Sequence, residues 1–322
     1  CVISNNSVIG ANISVYGGGI YARFSDITAS NCQVRANSCI TSFNFPGSWG
    51  GGIYLVGAQL TLVDSRVVNN KANGSNGLGR NGGGICNESS TCRLRNCLVA
   101  GNTTMGYAGT PSCGDGLYTV GASTSILENC TVAYNSGQGI YRSAGSVAVT
   151  NSIIWGNGDD ITGAVLMAWS NIEDGDSNGV NGCISVDPRF ERGFYLATNS
   201  LCVDAGTNTA DALGLTNATT RSDGVGDDGT VDLGYHYLSG LDMTFAEIYV
   251  APDGKDDGSY TGTSILQPFR TLTNALAKAR DGSRIHVAAG AYTNGSERFP
   301  LSMVNMTGVQ ILGTNRASTV IN

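Results

Sequence analysis

Few side chains in this chain are placed for chemistry. Asp159 and Asp160 are adjacent carboxylates, the residue type that in pairs hydrolyses glycosidic bonds. His236 and His286 are the only histidines, so acid–base or nucleophilic work has little material. Three acidic stretches are punctuated by glycine: 173–176, 252–258 and 223–232. Oxygen-rich loops of this kind can hold Ca²⁺, and Asp223, Asp227, Asp228 and Asp232 form the best candidate set. None of the three matches an EF-hand loop, which closes on a bidentate glutamate. Short acidic turns are also simply good turns.

Position decides between these readings. Neighbours on a strand point to opposite faces, so Asp159 and Asp160 would not flank one scissile bond. The chain is therefore expected not to be an enzyme and to need no cofactor beyond a possible Ca²⁺. Composition excludes other classes. Glycine supplies 46 of 322 residues, charged residues are 13%, and the net charge is −7. A nucleic-acid binder would need a basic face. The longest apolar run, Ala164 to Trp169, is too short to cross a bilayer. Ten cysteines with three lysines suit an oxidising, extracellular or cell-surface setting.

The elements that carry these residues come from a repeat. Gly17-Gly18-Gly19-Ile20-Tyr21 recurs at Gly50, Gly82, Gly114 and Gly137, with starts 33, 32, 32 and 23 residues apart. A second motif, N-C-x-V-x-x-N, keeps step with it and ends at Asn37, Asn70, Asn102, Asn135 and Asn157. Strand-length segments such as Gln59–Val63 and Ser146–Thr150 lie between glycine bends. One such unit cannot bury its apolar face alone, but stacked units can, each pairing in parallel with the next at ~4.8 Å. Three short strands per turn predict an all-β, right-handed parallel β-helix. A β-helix pectin hydrolase would carry several further motifs; only the double aspartate is present.

In such a stack the five motif-ending asparagines fall one above another and form a hydrogen-bonded ladder. Cys1, Cys32, Cys97 and Cys130 share a register with Ser65 and Ser152. Disulfides Cys1–Cys32, Cys97–Cys130, Cys86–Cys92 and Cys183–Cys202 are open alternatives to a plain column of small side chains. The longer repeats insert Ser38–Trp49, Lys71–Asn81 and Thr103–Cys113 at one corner, which predicts a wall of loops. Phe43, Phe45, Trp49 and Tyr107 in that wall could stack on a surface polysaccharide, or pack loop against loop.

From residue 151 the sequence resembles the choice-of-anchor Q domain proteins, through Asn151-Ser-Ile-Ile-Trp155-Gly-Asn157, Asp187-Pro-Arg-Phe190, Ser200-Leu-Cys-Val-Asp204-Ala-Gly206 and Asp232-Leu-Gly-Tyr-His-Tyr237. The GGGI and VxxN repeats are similar to those of polymorphic outer-membrane proteins. The resemblance implies a surface β-helix whose end lies in this block. Residues 248–292 look instead like the opening of one, with Phe269, Leu272, Leu276 and Ala279 at helical spacing before Asp281-Gly282, a short amphipathic lid near 269–280. The order is thus coils (1–158), closing coils (159–240), then a linker and opening coils (241–322). Read through from Val320-Ile321-Asn322 into Cys1-Val2-Ile3-Ser4-Asn5-Asn6, the sequence spells another N-C-x-V-x-x-N copy. The expectation is a structural repeat that continues head to tail into a filament or tandem surface protein, its partner being itself. The alternative is an adhesin or carbohydrate-binding passenger that uses the loop wall.

Overall fold

The computed structural model describes residues 1–11, 13–42, 47–74, 80–105, 113–238, 247–279, 283–293, 297–299, 301, 309–314 and 319–321. The chain divides into two compact units. One comprises Cys1–Arg189 with Leu196–Ser239, the other Phe190–Tyr195 with Gly240–Asn322.

In the first unit, strands of successive repeats pair in parallel and in register. The long sheet runs through Val2–Ser4, Gln33–Arg35, Gln59–Val68, Thr91–Ala100, Thr124–Glu128 and Ser146–Thr150 to Leu166–Ala168. A second sheet stacks Ile20–Arg23, Ile53–Val56, Ile85–Glu88, Leu117–Val120, Gln138–Arg142 and Asp159–Thr162. Their inward residues meet in one core: Val34, Val67, Val99, Val132 and Ile154 from the first, Ile53, Ile85, Leu117 and Ile140 from the second. Each fully buried Val, Leu or Ile adds about 1.5–3 kcal/mol relative to exposure.

Corners between sheets need the left-handed backbone region, and the repeat supplies it. Asn31, Asp64, Asn96, Asn129 and Asn151 all sit near φ 50°. Asn and Asp tolerate that region because a short polar side chain bonds locally. The glycine triplet makes another corner. Gly50 has φ +66°, and a Cβ on Gly51 would lie 2.5 Å from the Gly83 carbonyl oxygen of the next coil. The inserted corner segments are themselves strand-forming: Ser7–Ala11, Ser38–Ser42, Lys71–Gly74 and Thr103–Met105 pair in parallel, as do Val15–Tyr16, Ser48–Trp49 and Arg80–Asn81. The expected wall is a pair of small sheets continuing the stack.

After Asn171–Ile172 the long strands give way to turns, a four-residue helix Ala210–Leu213, and the antiparallel pair Ala218–Thr219 with Tyr237–Leu238. In the second unit Glu247–Val250, Arg284–Val287 and Gln310–Gly313 pair in parallel, and Gly290–Tyr292 pairs with Thr319–Ile321. The expected lid is the helix Leu272–Lys278, starting later than the apolar spacing suggested because Phe269 is in a bridge with Val250. Thr271 caps it through the Asn274 N–H, and the buried Glu297 carboxylate accepts the N–H groups of Leu272 and Thr273. Its buried Leu272, Ala275 and Leu276 pack on Ile248, Val250, Ile285 and Val287. Asp281 and Gly282 lie outside the described residues.

Candidate functional site

The asparagines assemble as the spacing predicts. The Asn102 Oδ1 accepts both the backbone N–H and the Nδ2 of Asn70, each at 3.0 Å. Asn102 then donates its N–H and Nδ2 to the Asn135 Oδ1 at 2.9 and 3.1 Å, and its Nδ2 also reaches the Val67 carbonyl at 2.8 Å. The same bonds join Asn37 to Asn70 and Asn135 to Asn157. Two members escaped the sequence reading. Asn6 tops the ladder, donating N–H and Nδ2 to the Asn37 Oδ1. At the other end Asp160 accepts the Asn157 Nδ2 at 2.9 Å, and its second oxygen accepts the Glu173 N–H at 2.8 Å. Burial pushes the Asp160 carboxyl up to about 6 against those donors, with Asp174 adding to the rise. Asp160 is a terminator of the ladder; Asp159 is exposed and accepts from Thr162.

The cysteine register is also a ladder. Ser65 donates to the carbonyl two residues back and accepts the Cys32 N–H. Ser152 does the same for Cys130. Cys32, Cys97 and Cys130 occupy the serine role, each thiol directed at the carbonyl two residues back. The disulfide expectations are corrected accordingly: all ten cysteines are free. Cys86 belongs to the outer cluster with Tyr54 and Tyr118, whereas Cys92 faces the core. The Cys202 sulfur instead receives the Asn171 Nδ2. Burial pushes the Cys92 and Cys202 thiols up to about 12, so both stay protonated and unreactive.

The corner asparagines perform a task that the repeat did not reveal. Asn96 Oδ1 accepts the His236 N–H at 2.6 Å while its Nδ2 donates to the His236 carbonyl at 2.9 Å. Asn151 grips Thr207 in the same two-point way. Tyr235 N–H meets the Thr131 hydroxyl, and Arg66 lies over the rings of Tyr235 and Tyr237. Residues 207–237 thus return as a strap along the corners of earlier coils.

The strap holds the acidic residues. Asp227 and Asp232 are brought together, joined by Asp204, with one carboxylate oxygen of each within 4.8 Å of the others. Asp223 and Asp228 are not part of the group: Asp223 pairs with Arg221 at 2.6 Å, and Asp228 caps the Gly229 N–H. The buried His236 completes it. Its Nδ1 faces the Gly234 carbonyl, which only accepts, so Nδ1 carries a proton; Nε2 lies 2.7 Å from the Asp227 Oδ2. Asp227 also accepts the Asp232 N–H, and Asp232 accepts from the Asp204 N–H and the Thr220 hydroxyl. Burial raises the Asp232 carboxyl despite those donors. A divalent cation would find hard oxygen donors here, but it would have to displace hydrogen bonds that already satisfy the two buried carboxylates. Asp204 and His236 stood out in the sequence only as members of the two blocks that carry the family resemblance, with no ligand-like spacing to join them to Asp227.

Of the aromatics, Trp49 packs toward Tyr118, with ring centroids 6.5 Å apart, on the outer face of the second sheet. Phe43, Phe45 and Tyr107 lie outside the described residues. Tyr21 and Tyr54 stack at 5.6 Å and 4°. In the first coil Val2, Val8, Ile9, Ile13, Tyr21 and Phe24 are each more than a third accessible, as are Leu166, Leu201, Ile265 and Leu266 elsewhere in the chain. Among the described residues Val2–Ser4 pairs only with Gln33–Arg35, and Thr319–Ile321 only with Gly290–Tyr292. Val320 and Ile321 are exposed, and Asn322 lies outside the described residues.

Parallel coils, a continuous asparagine ladder and glycine corners define the architecture, and comparison with known proteins agrees. A family model described as the right handed beta helix region matches residues 75–184. The fold is a right-handed parallel β-helix. A second model, a protein family of unknown function (DUF1565), matches residues 253–318 in the other unit. No curated protein and no solved structure matches the chain. No helix among the described residues is long and apolar enough to cross a membrane.

Proposed function

We propose that this chain is a structural unit of an extracellular or cell-surface β-helical array, continued head to tail by further copies as a filament or as tandem repeats. The observation that carries this reading is the ladder: Asn6, Asn37, Asn70, Asn102, Asn135 and Asn157 bond in series, so successive coils offer one another the same donors and acceptors. Stacked repeats of this kind bury their faces against one another and extend by adding units. Non-closing contact between unlike surfaces builds fibres rather than rings. The interior supports a scaffold: the carboxylates nearest to a catalytic pattern, Asp160 and Asp227, are spent on hydrogen bonds that hold the ladder end and the strap.

The second reading is an adhesin or carbohydrate-binding passenger that uses the corner wall, where Trp49 is half-buried with its ring centroid 6.5 Å from that of Tyr118. Sedimentation velocity of the purified chain over a wide concentration range tests the proposal. Species growing steadily beyond 33.2 kDa are expected. A single species of that mass at every concentration would overturn it.

A further inference from the structure

The glycine motif ends in tyrosine in four of its five copies, at Tyr21, Tyr54, Tyr118 and Tyr141, with Cys86 in the fifth. In the fold these residues share one register column on the outer face of the second sheet. Tyr21 pairs with Tyr54, Tyr54 with Cys86, Cys86 with Tyr118, and Tyr118 with Tyr141. Between ring centroids Tyr54 lies 5.6 Å from Tyr21 and 4.8 Å from Tyr16, and Tyr118 lies 5.4 Å from Tyr141. Tyr54, Cys86 and Tyr118 form one buried cluster, with Trp49 and Tyr141 packed against it. The column is an unbroken run of phenol, thiol and indole, the side chains that lose one electron most easily.

Packing alone asks for rings here and not for a base, yet Tyr54 has one. Its hydroxyl donates to the Glu88 Oε2, a hydrogen bond strengthened by the charge of the acceptor. Burial, with the Glu88 carboxylate adding to it, raises the Tyr54 phenol, so the resting side chain holds its proton. A phenol gives up an electron readily only when its proton leaves in the same step, because the phenol radical cation is a very strong acid. The bond to Glu88 is a path for that proton. The column's other buried members lack such a path: Tyr118 is hydrogen-bonded to the Ser143 hydroxyl, a poor base, and burial raises the Cys86 thiol, which stays protonated.

We infer that Tyr54 is a one-electron redox site, oxidised with Glu88 as its proton acceptor and served by the tyrosine column. It holds whether or not copies of the chain associate. The electron passes to a one-electron oxidant at the surface, by way of Tyr118 and Tyr141. The phenol O–H bond breaks and the proton goes to the Glu88 Oε2, which leaves a neutral phenoxyl beside a carboxylic acid. Return of one electron restores both groups. Tyr54 is 4% accessible, so its radical is shielded from those of other chains and persists.

The test uses the full chain with photogenerated tris(bipyridine)ruthenium(III), which takes one electron and returns to ruthenium(II). Electron paramagnetic resonance of samples frozen after illumination should show a persistent tyrosyl signal in the native chain that is lost in urea. Tyr54→Phe keeps the ring and should abolish it. Glu88→Gln keeps an acceptor that cannot take the proton and should shorten the signal's life. Tyr118→Phe should leave the signal on Tyr54 at lower yield; an equal yield would overturn the part given to the column. A wild-type chain without a persistent signal, or a signal unchanged by Tyr54→Phe, would overturn the site. If Tyr54→Phe does not fold, Glu88→Gln decides, since a signal of unchanged life would remove the carboxylate from the step and overturn the inference.

Discussion

Gly52 lies directly against the side chain of Asn70: a Cβ built on Gly52 would stand 2.9 Å from both the Cγ and the Nδ2 of that asparagine. The same approach recurs between Gly19 and Asn37, Gly84 and Asn102, and Gly139 and Asn157. The last glycine of each triplet thus leaves room for the ladder, so the two repeated motifs of the sequence are two sides of one contact.

Gly52→Ala should destabilise the first unit by about 1–3 kcal/mol, the usual cost of forcing a methyl group into a packed site. Gly51→Ala should do at least as much, since its Cβ would meet backbone that cannot move aside. Gly229→Ala is the informative comparison, because it has φ +75° with nothing within 4 Å and should show only the backbone penalty of about 1–2 kcal/mol. Urea midpoints for the three variants check the order.

Removing a central rung should cost far more than removing the first. Asn102→Ala strands the N–H and Nδ2 of Asn70 and the Val67 carbonyl inside the coil, at roughly 1–3 kcal/mol for each buried group left unpaired. Asn6→Ala acts on an exposed rung where water can replace the lost bonds, and it should change stability by less than about 1 kcal/mol. Equal losses at both positions in chemical denaturation would argue against a buried ladder.

Asp160 gives the stability a pH dependence of definite sign. Its folded-state carboxyl is raised from 3.8 to about 6, so the folded chain holds the proton more tightly than the unfolded one. The stabilisation from this group is complete below about pH 4 and is lost as pH rises to about 6, at roughly 1.4 kcal/mol per unit of pKa difference. Asp160→Asn should lower stability overall, since its amide would face the Glu173 N–H, yet it should flatten the profile between those pH values. Urea midpoints from pH 4 to 7.5 would show it; a wild-type-minus-variant difference that stays constant with pH would refute the assignment.

Thiol chemistry separates the ladder role of the cysteines from the bridging one. Without reductant, Ellman's reagent should titrate Cys1 quickly in the native chain and Cys113 slowly, because burial and Asp115 raise the Cys113 thiol. All ten should react in urea. Fewer than ten there would mean that bridges exist.

The parts of this molecule that were legible from its sequence are those in which a side chain meets the same neighbour in every coil. Asn70 and Gly52 repeat because each coil sets the same steric problem, and a period of 32–33 residues exposes them. The strap has no such period. Asn96 and His236 are 140 residues apart, and their contact occurs once. Nothing in the spacing around Asp227 distinguished it from Asp223, since what separates them is which one faces His236. The disulfide expectation failed for a related reason. A cysteine that alternates with serine in one register fills the serine's place, and such a column needs no covalent bond.

The most direct trial of the account is electron cryo-microscopy of the purified chain at high concentration. It predicts filaments in which coil spacing of ~4.8 Å continues across each junction, so that no boundary interrupts the long sheet between one copy and the next. Discrete particles of one chain, with the first coil covered by that chain's own residues, would contradict it.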